Sequence, residues 1–268
     1  MHPRLSVSAI SAMRWSVTQD LELYRRAGID QVGLSLAKLD AHGVDDAVAL
    51  VREAGLRVTN LLGVRAFDLA DPSAWESQRE RVRRAVGAAH AVGAEYLVLT
   101  TGPAGDLEWE EAASRLATAL EPVLPDAAGQ EVPVALEHTN PLRTDISFVH
   151  SLRDAIDLAR RLEVGVCLEV NACWYEREVA ATIAHGIDRI SVVQVSDFIV
   201  GTHCTPDRAV PGDGDIPLRR LLGQLLDAGY GGVFDVELIG PRIDAEGYEA
   251  AIMRAVAATE ALLESVGQ

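Results

Sequence analysis

The sequence lacks the features that would place the chain in a membrane or in an oxidising compartment. No apolar run approaches the roughly 20 residues that a membrane-spanning helix needs, and the segment from Met1 to Leu5 shows no charged stretch followed by an apolar core, so we expect no signal peptide. Its three cysteines are too few for a disulfide framework, and none has the Cys-x-x-Cys spacing of a zinc site. We therefore predict a cytoplasmic protein with no membrane association.

Positive charge is also scarce, with 24 basic residues against 40 acidic ones and a net charge of −16. A surface this negative repels the phosphates of nucleic acids, so we expect no nucleic-acid partner. The excess of acidic residues needs no explanation beyond solubility, and it identifies no partner by itself. Whether the chain forms a homo-oligomer is left open by the sequence.

What the sequence does contain is a short apolar run followed by an amphipathic segment, repeated eight times. The runs are Leu5 to Ile10, Ile29 to Leu36, Leu56 to Gly63, Ala94 to Thr101, Val132 to His138, Val164 to Val170, Ile190 to Asp197 and Gly232 to Ile239. Strands that alternate with helices predict an α/β protein with a parallel sheet. Eight such units in a chain of 268 residues predict one (β/α)₈ TIM barrel, a single domain over residues 1–268.

One predicted connection is longer than the others. The segment from Phe198 to Asp215 follows the seventh strand, whereas loops of this kind usually have only about 2–6 residues. Loops that follow strands form the catalytic face of a barrel. We therefore expect this segment, which contains His203 and Arg208, to lie over a binding site.

Polar side chains stand at the ends of four consecutive predicted strands, the fifth to the eighth: Glu137, Glu169, Gln194 and Glu237. Since these strands are neighbours in a barrel, the side chains should converge at one mouth. Three carboxylates brought together repel one another unless some are protonated or a cation neutralises them. Carboxylate and amide oxygens suit Mn²⁺, Mg²⁺ or Ca²⁺ better than Zn²⁺ or copper. The alternative is that each acid pairs with an arginine or caps a loop amide.

With these residues the chain resembles the xylose-isomerase-like barrel family of sugar and sugar-phosphate isomerases and epimerases, most strongly from Val134 to Leu238. The resemblance implies a divalent metal, with Mn²⁺ expected first and Mg²⁺ or Co²⁺ as alternatives. It implies four metal ligands: Glu137, Glu169, Gln194 and Glu237. The family usually has Asp where this chain has Glu169, and often has a histidine where this chain has Ala172.

The strand-seven region resembles one branch of that family more closely. Val193 to Asp197, followed by Asp207 to Ile216, is similar to the hydroxypyruvate isomerase branch, which also has glutamine on this strand. The resemblance implies that Arg208 contacts the substrate. From the residues alone, Arg208 either reaches the substrate or pairs with Asp207 or Asp213 to shape the loop.

Several further side chains are candidates for substrate contact. His138 follows Glu137 and either contacts the substrate or supports a residue that does, or it is hydrogen-bonded behind the barrel mouth. His203 is an acid or base of the long loop, or simply solvated. Aromatic residues that follow strands could form an apolar collar around a polar centre, although each alone is as well explained by packing. They are Trp15, Phe67, Trp174 and Phe198.

The resemblance implies an enzyme that isomerises or epimerises a small keto sugar, sugar derivative or hydroxy-carbonyl compound through an ene-diolate. Glu137 and Glu237 would act as the acid and base, and the partner would be a small carbohydrate-like molecule. One alternative is a lyase on the same scaffold, inosose dehydratase-like or cleaving 3-keto-glycosides. Another is a non-catalytic barrel subunit. A DNA-repair endonuclease is disfavoured, because the chain is acidic and too poor in histidine at the matching positions.

Overall fold

The computed structural model describes residues 1–65 and 67–267, with residue 65 described in its backbone only. Within these residues, parallel strands pair in sequence order, and the last pairs with the first, to give a closed barrel. The strands are β1 (Leu5–Ser8), β2 (Gln31–Ser35), β3 (Arg57–Arg65), β4 (Leu97–Thr100), β5 (Val134–Glu137), β6 (Gly165–Glu169), β7 (Ile190–Val195) and β8 (Phe234–Val236). The predicted (β/α)₈ barrel is confirmed. Only β3 extends beyond its predicted run, past Gly63.

Helices surround the barrel: α1 (Val17–Ala27), α2 (Leu36–His42), α3 (Val44–Glu53), α4 (Trp75–Val92), α5 (Trp109–Leu120), α6 (Leu124–Gly129), α7 (Leu152–Leu162), α8 (Val170–Cys173), α9 (Val179–Gly186), α10 (Leu218–Asp227), α11 (Pro241–Glu246) and α12 (Tyr248–Val266). Short 3₁₀ helices cover Ala9–Ala12 and Pro72–Ala74. α7 shows why such segments become helices. The Ser151 hydroxyl caps its first turn by accepting from the Asp154 amide, and its apolar residues recur on one buried face. Among the described residues, no helix is long and apolar enough to span a bilayer.

Small apolar side chains fill the part of the barrel interior that lies below the mouth. They form a separate buried cluster of Leu62, Val98, Ala135, Cys167 and Val192. Side chains two residues apart on a strand point to the same face. Glu137, Glu169 and Gln194 follow cluster members by two positions, so these strands carry them above the cluster, toward the carboxyl ends of the strands.

Polar side chains fill another part of the interior, which the sequence patterns did not indicate. The Ser6 and Thr59 hydroxyls lie 2.8 Å apart, and Asn60 Nδ2 donates to Asp235 Oδ2 at 3.1 Å. Burial raises the pKa of Asp235 to about 6, against hydrogen bonds from Ser6 and Asn60. Gly33 makes room for this cluster, since a Cβ there would lie 2.8 Å from both Asn60 Oδ1 and Asp235 Oδ2.

Candidate active site

A cavity of about 260 Å³ opens at the carboxyl ends of the strands. Its polar lining includes Glu137, Glu169, Glu237 and Arg208, so three of the four predicted ligand residues and the predicted loop arginine meet here. Its apolar lining includes Ile10, Leu62, Val64, Val98, Leu142, Ile146, Phe198 and Ile239. A small concave site with a few convergent polar groups in an apolar wall is typical of small-molecule binding.

Arg208 lies at the centre of the polar lining. Its Nη1 is 2.6 Å from Oε2 of Glu169, its Nη2 is 3.9 Å from Oε1 of Glu237, and Nη1 also donates to the Ser196 hydroxyl at 2.9 Å. The Arg208 side chain is only 14% exposed. The guanidinium therefore neutralises part of the carboxylate cluster directly, as the arginine-pairing alternative proposed.

The two loop carboxylates expected as partners of Arg208 are paired elsewhere. Asp207 Oδ2 lies 3.6 Å from a nitrogen of Arg242, and Asp213 Oδ2 lies 2.6 Å from one of Arg254. Of the two alternatives given for Arg208, pairing with Asp207 or Asp213 is therefore not the arrangement seen. Both acids pair with cations of later helices, while the guanidinium of Arg208 faces Glu169.

Gln194 and Glu237 contact each other beneath this cation. Gln194 Nε2 donates to Glu237 Oε2 at 2.7 Å, whereas Gln194 Oε1 is buried without a hydrogen-bond partner. Burial raises the pKa of Glu237 well above its usual value, and the charge of Glu137 adds to the effect. Burial likewise raises the pKa of Glu137 to about 7, with a further contribution from Glu169 and opposition from Arg208. A carboxyl group with a pKa near neutrality, as Glu137 has, is suited to proton transfer.

Glu169 is fixed from two sides. Its Oε1 accepts from the backbone amide of Asn171 at 2.9 Å, which caps α8, and its own amide donates to Nε2 of His138 at 3.2 Å. His138 is fully buried, and burial lowers its pKa to about 3, with a smaller contribution from His150. A neutral His138 thus lies behind the mouth, hydrogen-bonded to the backbone of Glu169.

The chemistry of these side chains fits a hard divalent cation. All the candidate donors are oxygen atoms. Gln194 Oε1 is buried without a hydrogen-bond partner, and Glu169 Oε2 has only its ion pair with Arg208. In the arrangement seen, no group of three or more His, Cys, Asp or Glu side chains within residues 1–65 and 67–267 is placed to hold a metal. Arg208 lies between two of the acids, Glu169 and Glu237.

The long loop is held over the cavity by Asp197, which the sequence patterns did not single out. Its buried carboxylate accepts from the backbone amides of Phe198, Gly212 and Ile216 at 2.8, 2.9 and 3.0 Å. Gly214 is required beside it, because a Cβ there would lie 2.3 Å from Asp197 Oδ1. The predicted position of the loop is confirmed, since Phe198, Thr202 and residues 204–208 line the cavity.

Asp197→Ala is expected to lower the free energy of unfolding by about 2–3 kcal/mol, because buried amides lose their acceptor. Urea unfolding followed by circular dichroism measures the loss. Asp215→Ala is the matched control, because Asp215 accepts a single amide, that of Val200, at an exposed position. An equal loss in both variants would mean that Asp197 does not organise the loop.

The other predicted contacts lie away from the cavity. Among the described residues, the cavity lining includes Phe198 but not Trp15, Phe67 or Trp174, and substrate contact by these three stays a prediction. Phe67 is fully buried against Trp75, Trp15 packs edge-on against Tyr248, and Trp174 packs against Tyr175. His203 is exposed, and only its neighbours Thr202 and Cys204 line the cavity.

The loop after β5 contributes side chains that sequence reasoning missed. Thr139, Asn140 and Arg143 line the cavity, and Arg143 makes a two-pronged ion pair with Asp145 at 2.9 and 3.0 Å. The Arg143 side chain is 27% exposed, and its charge acts on both Glu137 and Arg208. The sequence could have indicated these three residues, because they come shortly after a strand that ends in Glu137.

A family model and the solved structures both relate this chain to known barrel proteins. A family model described as xylose isomerase-like TIM barrel matches residues 21–258. Protein SMc04130 of Sinorhizobium meliloti 1021 is 26% identical with a TM-score of 0.90, over 97% of this chain and 98% of that one. A search of curated proteins found no match.

Two further solved structures share the fold at lower identity. The IolI protein, solved with a zinc atom, is 20% identical with a TM-score of 0.85, over 98% of this chain and 99% of its own. D-allulose 3-epimerase from Methylomonas sp. is 16% identical with a TM-score of 0.79, over 97% and 98%. At these identities the similarity is one of fold.

Proposed function

Since the chain belongs to the xylose isomerase-like TIM barrel family, we propose that it isomerises or epimerises a small keto sugar, sugar derivative or hydroxy-carbonyl compound. The observation that carries the proposal is the set of oxygen-donor side chains at the ends of β5 to β8: Glu137, Glu169, Gln194 and Glu237. The fold is that of a solved D-allulose 3-epimerase and of IolI, which holds zinc. The cytoplasmic location stays a prediction.

We propose that these four side chains hold a divalent metal, with Mn²⁺ first and Mg²⁺ or Co²⁺ as alternatives. When bound, the metal would polarise the substrate carbonyl and neighbouring hydroxyl, which acidifies the proton between them. The zinc of the IolI structure supports a divalent ion in a barrel of this fold. The oxygen-only donors of this chain favour a harder ion than zinc.

Glu137 and Glu237 are proposed to move the proton. Glu137 ends β5 and Glu237 follows β8, and these strands are three steps apart in a ring of eight. The two side chains can therefore reach a bound substrate from different sides. One removes the α-proton, and the other returns a proton to the opposite face or to the neighbouring carbon of the resulting ene-diolate. The pKa of Glu137, raised to about 7, suits proton transfer near neutral pH, and burial raises that of Glu237 as well. Arg208 would then bind a substrate oxygen.

Elemental analysis of protein never exposed to chelator is expected to find about one divalent ion per chain, and added Mn²⁺ is expected to raise the melting temperature of chelator-treated protein. The reason is linkage, since a ligand that binds only the folded state stabilises it. Ca²⁺ and Zn²⁺ at equal concentration serve as controls for ion type. Absence of both a bound ion and a melting shift would contradict the metal site.

The activity is tested on a panel of keto sugars and hydroxy-carbonyl acids in deuterated solvent, with products identified by NMR. Incorporation of deuterium at the carbon next to the carbonyl, with an isomer or epimer as product, is expected. An elimination product would assign the lyase alternative, since both reactions share the first proton abstraction. A metal-loaded protein that exchanges no proton on any compound would leave the non-catalytic subunit as the alternative.

A further inference from the structure

The side chain of Arg208 faces the carboxylate oxygens that have no other hydrogen-bond partner. Glu169 uses Oε1 to cap α8, and its other oxygen, Oε2, lies 2.6 Å from the guanidinium. Glu237 uses Oε2 to accept from Gln194, and its other oxygen, Oε1, lies 3.9 Å from the guanidinium. Glu169 Oε2 and Glu237 Oε1 are therefore the two oxygens left for any cation, whether it is the guanidinium or a metal ion.

A divalent ion held by Glu169 and Glu237 must use these same two oxygens, unless it breaks the helix cap or the bond from Gln194. Like charges close together in a site with little water repel strongly. The guanidinium and a metal ion therefore compete for one position.

We propose that Arg208 is an internal cation that neutralises Glu169 and Glu237 in the metal-free protein, and that metal binding displaces its side chain. The inference rests on the proposed metal site. It adds that this chain carries its own competitor for that site. Metal-free protein is stabilised against carboxylate repulsion by Arg208, and its metal affinity is reduced by the same contacts.

The surroundings of Arg208 permit this displacement without refolding the loop. Its backbone amide donates to Ile239 at 2.8 Å, and its neighbour Ala209 exchanges two backbone hydrogen bonds with Asp197. The backbone is thus held from both sides, and the side chain alone has to move. Arg208 already lines the cavity, so a displaced guanidinium has space next to bound substrate.

The test compares Mn²⁺ affinity by titration calorimetry in wild type, Arg208→Met and Arg143→Met. Arg143 is the matched control, because its cation also lines the cavity but pairs with Asp145 rather than with Glu169 or Glu237. Arg208→Met is expected to bind Mn²⁺ at least about 10-fold more tightly than wild type does. A tenfold change in Kd corresponds to about 1.4 kcal/mol, which is the competition that the substitution removes. Arg143→Met is expected to change the Mn²⁺ affinity by less than about threefold, because the charge of Arg143 acts only from a distance and is screened by salt.

A second readout separates competition from loss of fold. Without metal, Arg208→Met is expected to melt at a lower temperature than wild type, and saturating Mn²⁺ is expected to close that gap. Arg208→Lys, which keeps the charge, should restore much of the metal-free melting temperature and should weaken Mn²⁺ binding relative to Arg208→Met.

The outcomes also separate this inference from the proposed function. If wild type binds Mn²⁺ and Arg208→Met binds it no more tightly than Arg143→Met does, the displacement is overturned while the metal site stands. If only Arg208→Met binds Mn²⁺, Arg208 excludes the metal from the wild type, and the displacement by metal is overturned. If no variant binds a divalent ion, the metal site fails and the inference fails with it.

Discussion

Glu137→Gln and Glu237→Gln are each expected to lower kcat/KM by about 10²–10⁴-fold, the usual contribution of a positioned acid or base. Glutamine keeps the size of the side chain but cannot take up the proton. The direct measurement is exchange of the substrate α-proton with deuterated solvent, which reports the first step without waiting for product. A variant that has lost only the returning acid should still exchange, whereas one that has lost the base should not.

The fold should survive both substitutions. Burial raises the pKa of Glu137 to about 7 and that of Glu237 well above its usual value, so folding favours their uncharged forms. Stability from such a group is fully present below the unfolded pKa and is lost as pH rises through the folded one. A neutral amide should therefore leave the melting temperature at pH 8 equal or higher.

Glu249→Gln is the control for a lost charge, because Glu249 is an exposed residue of α12 that pairs with Arg26. It should leave both exchange and kcat/KM unchanged. Unaltered exchange in both cavity variants would assign the base elsewhere. His203, an exposed residue of the long loop after β7, would then be the next residue to replace.

The convergence of the acids could be predicted because it depends only on strand order. A closed barrel places β5 to β8 side by side, so residues at their ends must lie near one another whatever the loops do. The alternation of side chains along each strand then fixed which residues face the mouth. Both conclusions follow from periodicity alone.

The partner of Arg208 could not be predicted, because it depends on the path of a long loop. That path is set by three amides that converge on the Asp197 carboxylate, a contact between residues up to 19 positions apart. The same limit applies to Phe67, which follows β3 as a wall residue would but turns into the core. Loop conformations arise from specific hydrogen bonds, and these leave little periodic signal.

A buried ion pair away from the cavity gives the largest expected effect on stability. Lys38 Nζ lies 2.6 Å from Asp20 Oδ2 and donates to the carbonyl of Ala12 at 2.9 Å. Lys38 is the only lysine in the sequence. Its side chain is 8% exposed and that of Asp20 4%. The pair joins α1, α2 and the 3₁₀ helix that follows β1.

Lys38→Met is expected to lower the free energy of unfolding by about 3–5 kcal/mol, because it leaves the carboxylate of Asp20 buried without a counterion. The double variant Asp20→Asn/Lys38→Met should recover most of that loss, since no uncompensated charge is left. Urea unfolding of the wild type, both single variants and the double variant forms a complete thermodynamic cycle. A double variant as unstable as Lys38→Met would assign the loss to packing.

The loss caused by Lys38→Met should also depend on pH. Burial raises the pKa of Asp20 to about 7, and the charge and hydrogen bond of Lys38 oppose that shift. Without Lys38 the folded pKa rises further, while the unfolded value stays near 3.8. Above the unfolded pKa, the unfolded state then releases a proton that the folded state retains, so stability falls as pH rises. The deficit relative to wild type should therefore be larger at pH 8 than at pH 5, and an equal deficit at both would show that the charge of Asp20 is not its cause.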